Sequence, residues 1–200
     1  TVFHVTHWKA GSQWVYGVLQ ACAPERIVKP KVKVAHFYEE AILPGMIYPT
    51  VYAPRNRFIA TLRPKDGKGG GAQDSSPAAQ NYHNFKELKL PARVFVVVRD
   101  LRDTLVSLYF SLKVSHPLIS DNVAEGHRKL NEMQTEEEGL LYVINERGQA
   151  SANIQQTWLA ARESDEALFL RYEDLIAEEQ REFAKIIEHC QINVTPAKLA

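Results

Sequence analysis

Residues 92–113 read ARVFVVVRDLRDTLVSLYFSLK, and this stretch decides the fold. From Ala92 to Val98 the segment consists, apart from Arg93, of apolar residues without polar alternation, which predicts a strand buried on both faces, as in a parallel sheet. After Arg99, leucines recur at positions 101, 105, 108 and 112, a spacing that predicts a helix. A buried strand that runs directly into a helix is the building unit of an α/β fold.

The same alternation continues along the chain. β-branched and aromatic residues predict further short strands at Thr1–Thr6, Val32–Phe37, Tyr48–Tyr52 and Ala167–Tyr172. Apolar residues predict helices at Gln13–Ala23, Arg55–Leu62, Gly139–Glu146, Ala150–Glu163 and Ala177–Cys190. We therefore expect a central parallel sheet flanked by helices, in a single domain over residues 1–200.

Two segments interrupt this pattern. Residues 64–80 are Pro, Gly, Ser and small polar residues without periodicity, which predicts a mobile loop. The loop contains GKGGG, but no Gly lies five residues before Gly67 and no Ser or Thr follows Lys68, so the Walker phosphate-binding pattern fails. Residues 121–138 are polar and acidic and end in a TEEE run, where we expect the solvated start of a helix.

The composition narrows the classes of function. Apolar residues make up 45% of the chain, and 24 Lys and Arg balance 24 Asp and Glu, so no basic excess favours nucleic acid or a membrane surface as partner. An anion site must therefore be a local cluster. Cys22 and Cys190 form neither a disulfide framework nor a metal-ligand cluster, and we expect two reduced, buried thiols. Without a membrane-length apolar run or a signal-peptide pattern, the expected location is the cytoplasm.

The first predicted strand is followed by Lys9-Ala10-Gly11-Ser12-Gln13-Trp14 and then by a helix. Lys9 supplies a compact positive charge, Gly11 lets the backbone approach an anion, and the N–H groups of residues 11–13 lie at a helix N-terminus, where anions bind. Ser12 adds a hydroxyl, and Trp14 offers a flat face to a base. A solvated lysine and a turn glycine at the start of an amphipathic helix explain these residues equally well.

Lys9 to Trp14 thus form one strand-to-helix junction, and a second such junction lies at the end of the buried strand around Val98. Arg99 emerges there, at the carboxyl edge of the predicted sheet, and Ser107 follows about two helical turns later. An arginine fork and a hydroxyl are good partners for a phosphate. Alternatively, Arg99 forms a local salt bridge with Asp103, and Ser107 only fills space on a packed helix.

Together these stretches resemble a known family. KAGSQW is similar to the phosphosulfate loop of the cytosolic-type sulfotransferases that use PAPS (3′-phosphoadenosine-5′-phosphosulfate). VVVRDLRDTLVSLYFSLK resembles their 3′-phosphate segment, with the same eight-residue step from Arg to Ser. FLRYEDL at residues 169–175 resembles the YED element that follows a late strand. The three motifs occur in family order over nearly the whole chain. The resemblance implies a P-loop-NTPase-like sulfotransferase fold.

The resemblance also implies roles. Lys9 would hold the bridging and sulfuryl oxygens, and the loop from Ala10 through Gly11 and Ser12 to Gln13 would line the 5′-phosphosulfate. Trp14 would stack on the adenine, and Tyr172 would contact the adenine from its other side. Arg99 and Ser107 would bind the 3′-phosphate. The cofactor would be PAPS, with PAP as product and no metal. The partner would be a small-molecule acceptor.

The chain departs from the family pattern at the catalytic histidine. Ala10 and Gln13 also replace the usual Ser and Thr of the phosphosulfate loop. The family carries the histidine in a T-H-x-P element, and the best match, at residues 50–54, places Tyr52 where the histidine falls. A tyrosine with its ordinary pKa of about 10 is a poor base near neutrality. Tyr52 and His36 are the leading candidates for the base, and His7 and His83 are further ones.

Further expectations concern the edges of the site. The family closes its nucleotide site with an R-K-G-x-x-G-x-W segment, and this chain reaches Ala200 without one, so we expect either a fragment or a subfamily that lacks it. The acceptor site is expected in residues 36–62, 64–83 and 116–146. Aromatic residues in or next to the first two of these segments weakly favour a hydrophobic acceptor unless they belong to the core; they are Tyr48, Tyr52, Phe58, Tyr82 and Phe85.

Two other functions fit parts of the sequence. A P-loop-type kinase has a similar fold, but the Walker motif and a Mg²⁺-binding carboxylate are missing. A catalytically silent domain that binds PAP or another nucleotide fits the missing histidine and the missing closing segment.

Overall fold

The computed structural model describes residues 1–29, 40–63, 76–164 and 167–194. Its strands are β1 (Val2–Thr6), β2 (Ile47–Val51), β3 (Arg93–Val98) and β4 (Ala167–Arg171). Its α-helices are α1 (Ser12–Cys22), α2 (Arg55–Leu62), α3 (Pro77–Tyr82), α4 (Leu101–Phe110), α5 (Asp121–Glu132), α6 (Glu136–Val143), α7 (Gln149–Leu159), α8 (Tyr172–Ala177) and α9 (Glu179–His189). Short 3₁₀ turns lie at Pro24–Arg26 and Arg162–Ser164, and π-helical turns at His83–Glu87, Ser111–Ser115 and Ile144–Gly148.

The four strands form one sheet in the order β2-β1-β3-β4, and every pair is parallel. The first crossover connection places β2 on one side of β1, whereas β3 and β4 lie on the other side. The chain therefore reverses its direction of winding between β1 and β3, and ligands of open α/β sheets bind at such a switch point. The predicted fold class, a parallel sheet flanked by helices, is confirmed.

Strand β3 is buried on both faces, as its sequence predicts. Phe95 and Val97 pack in a core with Phe183 and Ile186 of α9, and residues of α1 join the same cluster. The alternate residues of β3, Val94, Val96 and Val98, pack on the other face with residues of α2 and α7. Residues two apart on a strand point to the same side, so an unbroken apolar run serves two cores at once.

Most predicted helices occur within a few residues of their expected bounds, and α2 matches its prediction at both ends. The sequence predicts two separate helices at residues 139–146 and 150–163. In the structure the π-helical turn Ile144–Gly148 joins α6 to α7, so this part of the chain is helical without a break. The helix start expected in the TEEE run is confirmed at Thr135. Its hydroxyl and the Glu138 carboxylate form a capping box that starts α6.

The predicted loop over residues 64–80 ends earlier than expected. Residues 64–75 lie outside the described part of the chain, but Pro77 to Gln80 belong to α3. The Ser76 hydroxyl accepts a hydrogen bond from the Ala79 amide at 3.2 Å, and proline at the first helical position needs no hydrogen-bond acceptor. The predicted strand Val32–Phe37 lies outside the described residues, and so does His36.

Candidate active site

The two strand-to-helix junctions, Lys9–Trp14 after β1 and the segment from Arg99 after β3, meet at the carboxyl edge of the sheet. Strands β1 and β3 are neighbours in register, with Thr6 opposite Val97, so the loops that follow them leave the sheet side by side. The Thr6 hydroxyl donates to the Val97 carbonyl at 3.1 Å and ties the two strand ends together. This edge is also the switch point of the sheet.

The loop after β1 contains two residues in left-handed conformation. Lys9 has φ 63° and Gly11, the N-cap of α1, has φ 79°. A Cβ atom at Gly11 would lie 2.7 Å from Cε2 of Tyr172, closer than real contacts allow. Glycine is therefore required at position 11 both by backbone conformation and by the ring beside it. For Lys9 the same conformation costs about 1–2 kcal/mol, which the surrounding contacts must offset.

The N-termini of α1 and α4 differ in a way that matters for anion binding. No side chain caps α1, and its first turn holds no acidic residue, so its first N–H groups point outward without intrahelical partners. At α4 the Asp100 carboxylate accepts from the amides of Arg102 (2.8 Å) and Asp103 (3.4 Å). The first N–H groups of α4 are therefore already engaged by its own N-cap, whereas those of α1 are not.

Arg99 links the second junction to the first. Its Nη1 donates to the Lys9 carbonyl oxygen at 2.9 Å, and its guanidinium carbon lies 4.7 Å from the centre of the Tyr172 ring. The local salt bridge between Arg99 and Asp103, which the sequence allowed as an alternative, does not form between these two described residues. It is Arg102 that pairs locally, with Asp100 at 3.1 Å.

Lys9 and Arg99 make this edge electropositive. Burial and, to a smaller extent, the charge of Arg99 lower the pKa of the Lys9 ammonium. Within the described part of the chain no carboxylate forms an ion pair with either cation. An anion that binds between them would relieve the repulsion and raise the pKa of Lys9.

Ser12 and Tyr52 meet beside the same loop. The Tyr52 hydroxyl donates to Ser12 Oγ at 2.8 Å, and its ring stacks on Trp8 with 5.6 Å between centroids. Burial raises the pKa of Tyr52 more than the bond to Ser12 lowers it. A raised pKa leaves even less of the phenolate form near neutrality, so this geometry suits a hydrogen-bond donor better than a proton acceptor.

The aromatic residues predicted to sandwich a base are arranged differently from that prediction. The rings of Trp14 and Tyr172 are 6.4 Å apart and perpendicular, at 89°. Trp14 also meets Phe183 edge to face at 5.3 Å. Two perpendicular rings leave no parallel slot between them, and Tyr172 instead packs against Gly11 and Arg99.

The remaining predicted site residues lie around this loop and on α4. Ala10 is fully buried, whereas Gln13 is exposed on the first turn of α1. Ser107 is half-buried on α4, and no other described residue hydrogen-bonds its hydroxyl. Its helix places it about 9 Å along the axis from Leu101.

The other candidate bases differ in exposure. His7 is fully buried; its Nδ1 lies 3.1 Å from the Trp8 carbonyl oxygen, and its Nε2 accepts from the Arg99 amide at 3.2 Å. With both ring nitrogens engaged, His7 is not free to accept a proton from an acceptor group. His83 is about half exposed and pairs with Glu87 at 3.0 Å.

Three of the five aromatic residues considered for the acceptor site belong to the core. Tyr48, Phe58 and Phe85 are each at least 93% buried and surround Phe3. The aromatic content of these segments therefore does not argue for a hydrophobic acceptor, and the alternative that these rings are core residues holds for these three.

Two further residues support the site without having been assigned a role from the sequence. The Gln155 side chain on α7 donates to the Arg99 carbonyl at 3.1 Å, and the Glu173 carboxylate accepts from the Asp100 amide at 3.2 Å. Glu173 belongs to the YED element, and that motif was its only sequence signal. Gln155 had no signal, because its partner is 56 residues away.

Two features are absent from residues 1–29, 40–63, 76–164 and 167–194, the part of the chain that the structure describes. No group of three or more His, Cys, Asp or Glu side chains there is arranged to hold a metal ion. None of the helices in that part of the chain is long and apolar enough to cross a bilayer. Cys22 and Cys190 are buried in the core, and neither forms a disulfide bond within the described residues.

Comparison with known proteins places the chain in a family. The crystal structure of mouse sulfotransferase SULT7A1 complexed with PAP matches with a TM-score of 0.62 and 14% identity, a likeness that shows the fold. The match covers 99% of this chain and 60% of that one, so this chain spans about 60% of its length. No curated protein matches the sequence. A family model for the sulfotransferase domain matches residues 1–200, and the chain therefore belongs to the sulfotransferase family.

Proposed function

We propose that this domain binds PAPS and transfers its sulfuryl group to a hydroxyl or amine of a small acceptor. One observation carries the proposal: Lys9 and Arg99, with no carboxylate paired to either among the described residues, flank the uncapped N-terminus of α1 at the switch point of the sheet. Such a site suits a ligand with two anionic groups. The sulfotransferase family match names the reaction class.

The loop after β1 would hold the 5′-phosphosulfate. The backbone N–H groups from Ala10 to Gln13 would bond its oxygens, and the Lys9 ammonium would neutralise the bridging oxygen. Because Ser12 Oγ already accepts from Tyr52, its own proton is available to donate to the ligand. The hydrogen bond from Tyr52 therefore supports Ser12 as a donor towards a phosphate.

Arg99 and Ser107 would hold the 3′-phosphate with their side chains. The Asp100 cap occupies the N-terminus of α4, so the backbone there has little to offer an anion. Arg99 has five N–H donors and uses one on the Lys9 carbonyl. Trp14 would stack on adenine with one face, and Tyr172 would contact the base at its edge.

The chemistry would be an in-line displacement. The acceptor oxygen or nitrogen attacks sulfur, the bond from sulfur to the bridging oxygen breaks, and PAP leaves with its 5′-phosphate. Positive charge from Lys9 and from the N-terminus of α1 would stabilise the oxygen that leaves, as in phosphoryl transfer. The acceptor's proton would pass to a base, for which Tyr52 and His36 stay the predictions. The raised pKa of Tyr52 favours a different role for that residue.

A PAP-binding domain without turnover is the second candidate. The observation in its favour is that Tyr52 is a hydrogen-bond donor with a raised pKa and that both nitrogens of His7 are engaged. Turnover of PAPS with an acceptor separates the two functions, since both predict PAP binding.

The test is calorimetric titration with PAP, with ATP and ADP as controls. Wild type should bind PAP and bind ATP far more weakly, because ATP lacks the 3′-phosphate. Arg99→Ala should weaken PAP binding by about 1.5–3 kcal/mol, the contribution of a charge-assisted hydrogen bond. Arg102→Ala is the matched control, since this neighbouring side chain is 91% exposed and pairs only with Asp100. Equal PAP affinity for wild type and Arg99→Ala would contradict the 3′-phosphate assignment.

The catalytic part of the proposal rests on Lys9. Lys9→Ala should abolish transfer from PAPS while much of the PAP affinity remains, because the lysine acts on the oxygen that leaves. Transfer is measured with labelled PAPS and a panel of small alcohols, phenols and amines. If Lys9→Ala retained the wild-type rate on an acceptor that wild type uses, its assigned role would be wrong.

A further inference from the structure

His7 lies between the two anion-binding junctions and contacts both. It follows β1 directly and is fully buried. Its Nε2 lies 3.2 Å from the Arg99 amide nitrogen, and its Nδ1 lies 3.1 Å from the Trp8 carbonyl oxygen. The ring therefore bridges the end of β1 and the end of β3.

The partners of the ring determine where its proton lies. A backbone N–H can only donate, so Nε2 must accept and carry no proton. A carbonyl oxygen can only accept, so Nδ1 must carry the proton and donate to Trp8. Only the neutral, Nδ1-protonated tautomer satisfies both contacts.

Each contact holds a residue next to or within the proposed donor site. Trp8 immediately precedes Lys9, which adopts the left-handed conformation at φ 63°. The Arg99 amide belongs to the residue whose guanidinium donates to the Lys9 carbonyl. His7 and the Arg99 side chain thus connect the same two loops by separate hydrogen bonds.

We propose that His7 is a positioning residue, a neutral Nδ1-protonated imidazole that sets the spacing between the Lys9 loop and Arg99 and thereby the distance between the two phosphate subsites. This inference rests on the proposed function and adds to it the residue that matches the site to a ligand with phosphates at both the 3′ and 5′ positions. His7 acts through Trp8 and Arg99, and not as a base.

The surroundings of His7 keep the imidazole neutral. Burial is the largest cause that lowers its pKa, the bond to Trp8 raises it, the Arg99 charge lowers it, and Glu173 raises it. Protonation would place a second donor against the Arg99 amide and break that contact. Acidification should therefore weaken PAP binding in wild type, and removal of the imidazole should abolish this part of the pH dependence.

Three variants separate the two hydrogen bonds. In His7→Gln the side-chain oxygen can take the place of Nε2 and accept from Arg99, whereas in His7→Asn the amide can take the place of Nδ1 and donate to Trp8. His7→Leu removes both contacts. We expect the hydrogen bond from the Arg99 amide to be worth about tenfold in affinity, so His7→Asn and His7→Leu, which both lose it, should bind PAP about tenfold more weakly. His7→Gln keeps that bond and should stay within a few-fold of wild type. Thermal unfolding of each variant identifies those that fold.

Two results of the titrations would overturn the inference. The first is PAP affinity in folded His7→Leu equal to that of wild type. The second is a loss in His7→Gln as large as in His7→Leu, because the contact with Arg99 would then not set the affinity.

A second measurement does not depend on PAP. Long-range ¹H–¹⁵N NMR spectra of the protein without nucleotide distinguish the two ring nitrogens of His7. At pH 7.5 we expect Nδ1 to be protonated and Nε2 to be unprotonated. A ring that is protonated at Nε2, or at both nitrogens, would overturn the inference. Failure of wild type to bind PAP would instead refute the proposed function, and the NMR result would still decide the tautomer.

Discussion

His4, in the middle of β1, should make the stability of the fold depend on pH. Its ring is fully buried, stacks on Phe95 at 4.7 Å and hydrogen-bonds the Pro49 carbonyl through Nδ1. Nε2 is buried and has no hydrogen-bond partner among the described residues. A second proton on this ring would place an unpaired charge in the core.

The size of the effect follows from the pKa of His4. Burial lowers it from 6.5 to about 4. Between these values the unfolded chain binds the proton and the folded protein does not, so stability falls as the pH falls. The His4 contribution is complete above pH 6.5 and is lost progressively towards pH 4. At 1.36 kcal/mol per pKa unit the whole difference is about 3.4 kcal/mol, of which about 2 kcal/mol is lost by pH 5.

The assay is urea unfolding at pH 8 and pH 5, for wild type and for His4→Asn. The asparagine amide can still donate to Pro49 but does not titrate, and the cavity left by the smaller side chain costs the same at both pH values. Wild type should lose about 2 kcal/mol more than His4→Asn between pH 8 and pH 5. Equal losses in the two proteins would refute the reasoning, because all other titrating groups are common to both.

Further predictions concern the loop after β1. Gly11→Ala should place a methyl group against Tyr172 and force a left-handed alanine, so both stability and PAP affinity should fall, the strain alone by about 1–2 kcal/mol. Its control is Gly17→Ala in α1, where a Cβ meets nothing within 4 Å; unfolding curves should show a gain of about 0.5–1 kcal/mol and calorimetry unchanged PAP binding. Tyr52→Phe removes the donor to Ser12 and should weaken PAP binding by about 0.5–1.5 kcal/mol while transfer persists. Complete loss of transfer with unchanged PAP affinity would identify Tyr52 as the base after all.

The secondary structure was largely predictable because its causes are local. A run of β-branched and aromatic residues such as Val94–Val98 favours a strand in the middle of a sheet, and the leucine spacing after Arg99 matches one helical face. Predictions were wrong where a local signal was overlooked. Ser76 and Pro77 start α3 inside the expected loop.

The candidate site was predictable to the level of its loops. A lysine and a glycine before a helix, and an arginine at the end of a buried strand, indicate two anion-binding junctions without any knowledge of tertiary structure. The distribution of hydrogen bonds within them was not predictable. Asp100 both caps α4 and pairs with Arg102, and Tyr48 and Phe58 pack in the core although an acceptor site was expected in their segment.

The sequence by itself determined the class of fold, the residues that carry charge at the two junctions and the resemblance to the sulfotransferases. Only the tertiary structure decided that Arg99 reaches the Lys9 carbonyl, that Tyr172 packs over Gly11, and that His7 is held in one tautomer. The reason is that the Lys9 and His7 contacts with Arg99 join residues 90 and 92 positions apart. They exist because β1 and β3 are neighbours in the sheet, and strand order follows from the packing of the whole chain rather than from any local pattern.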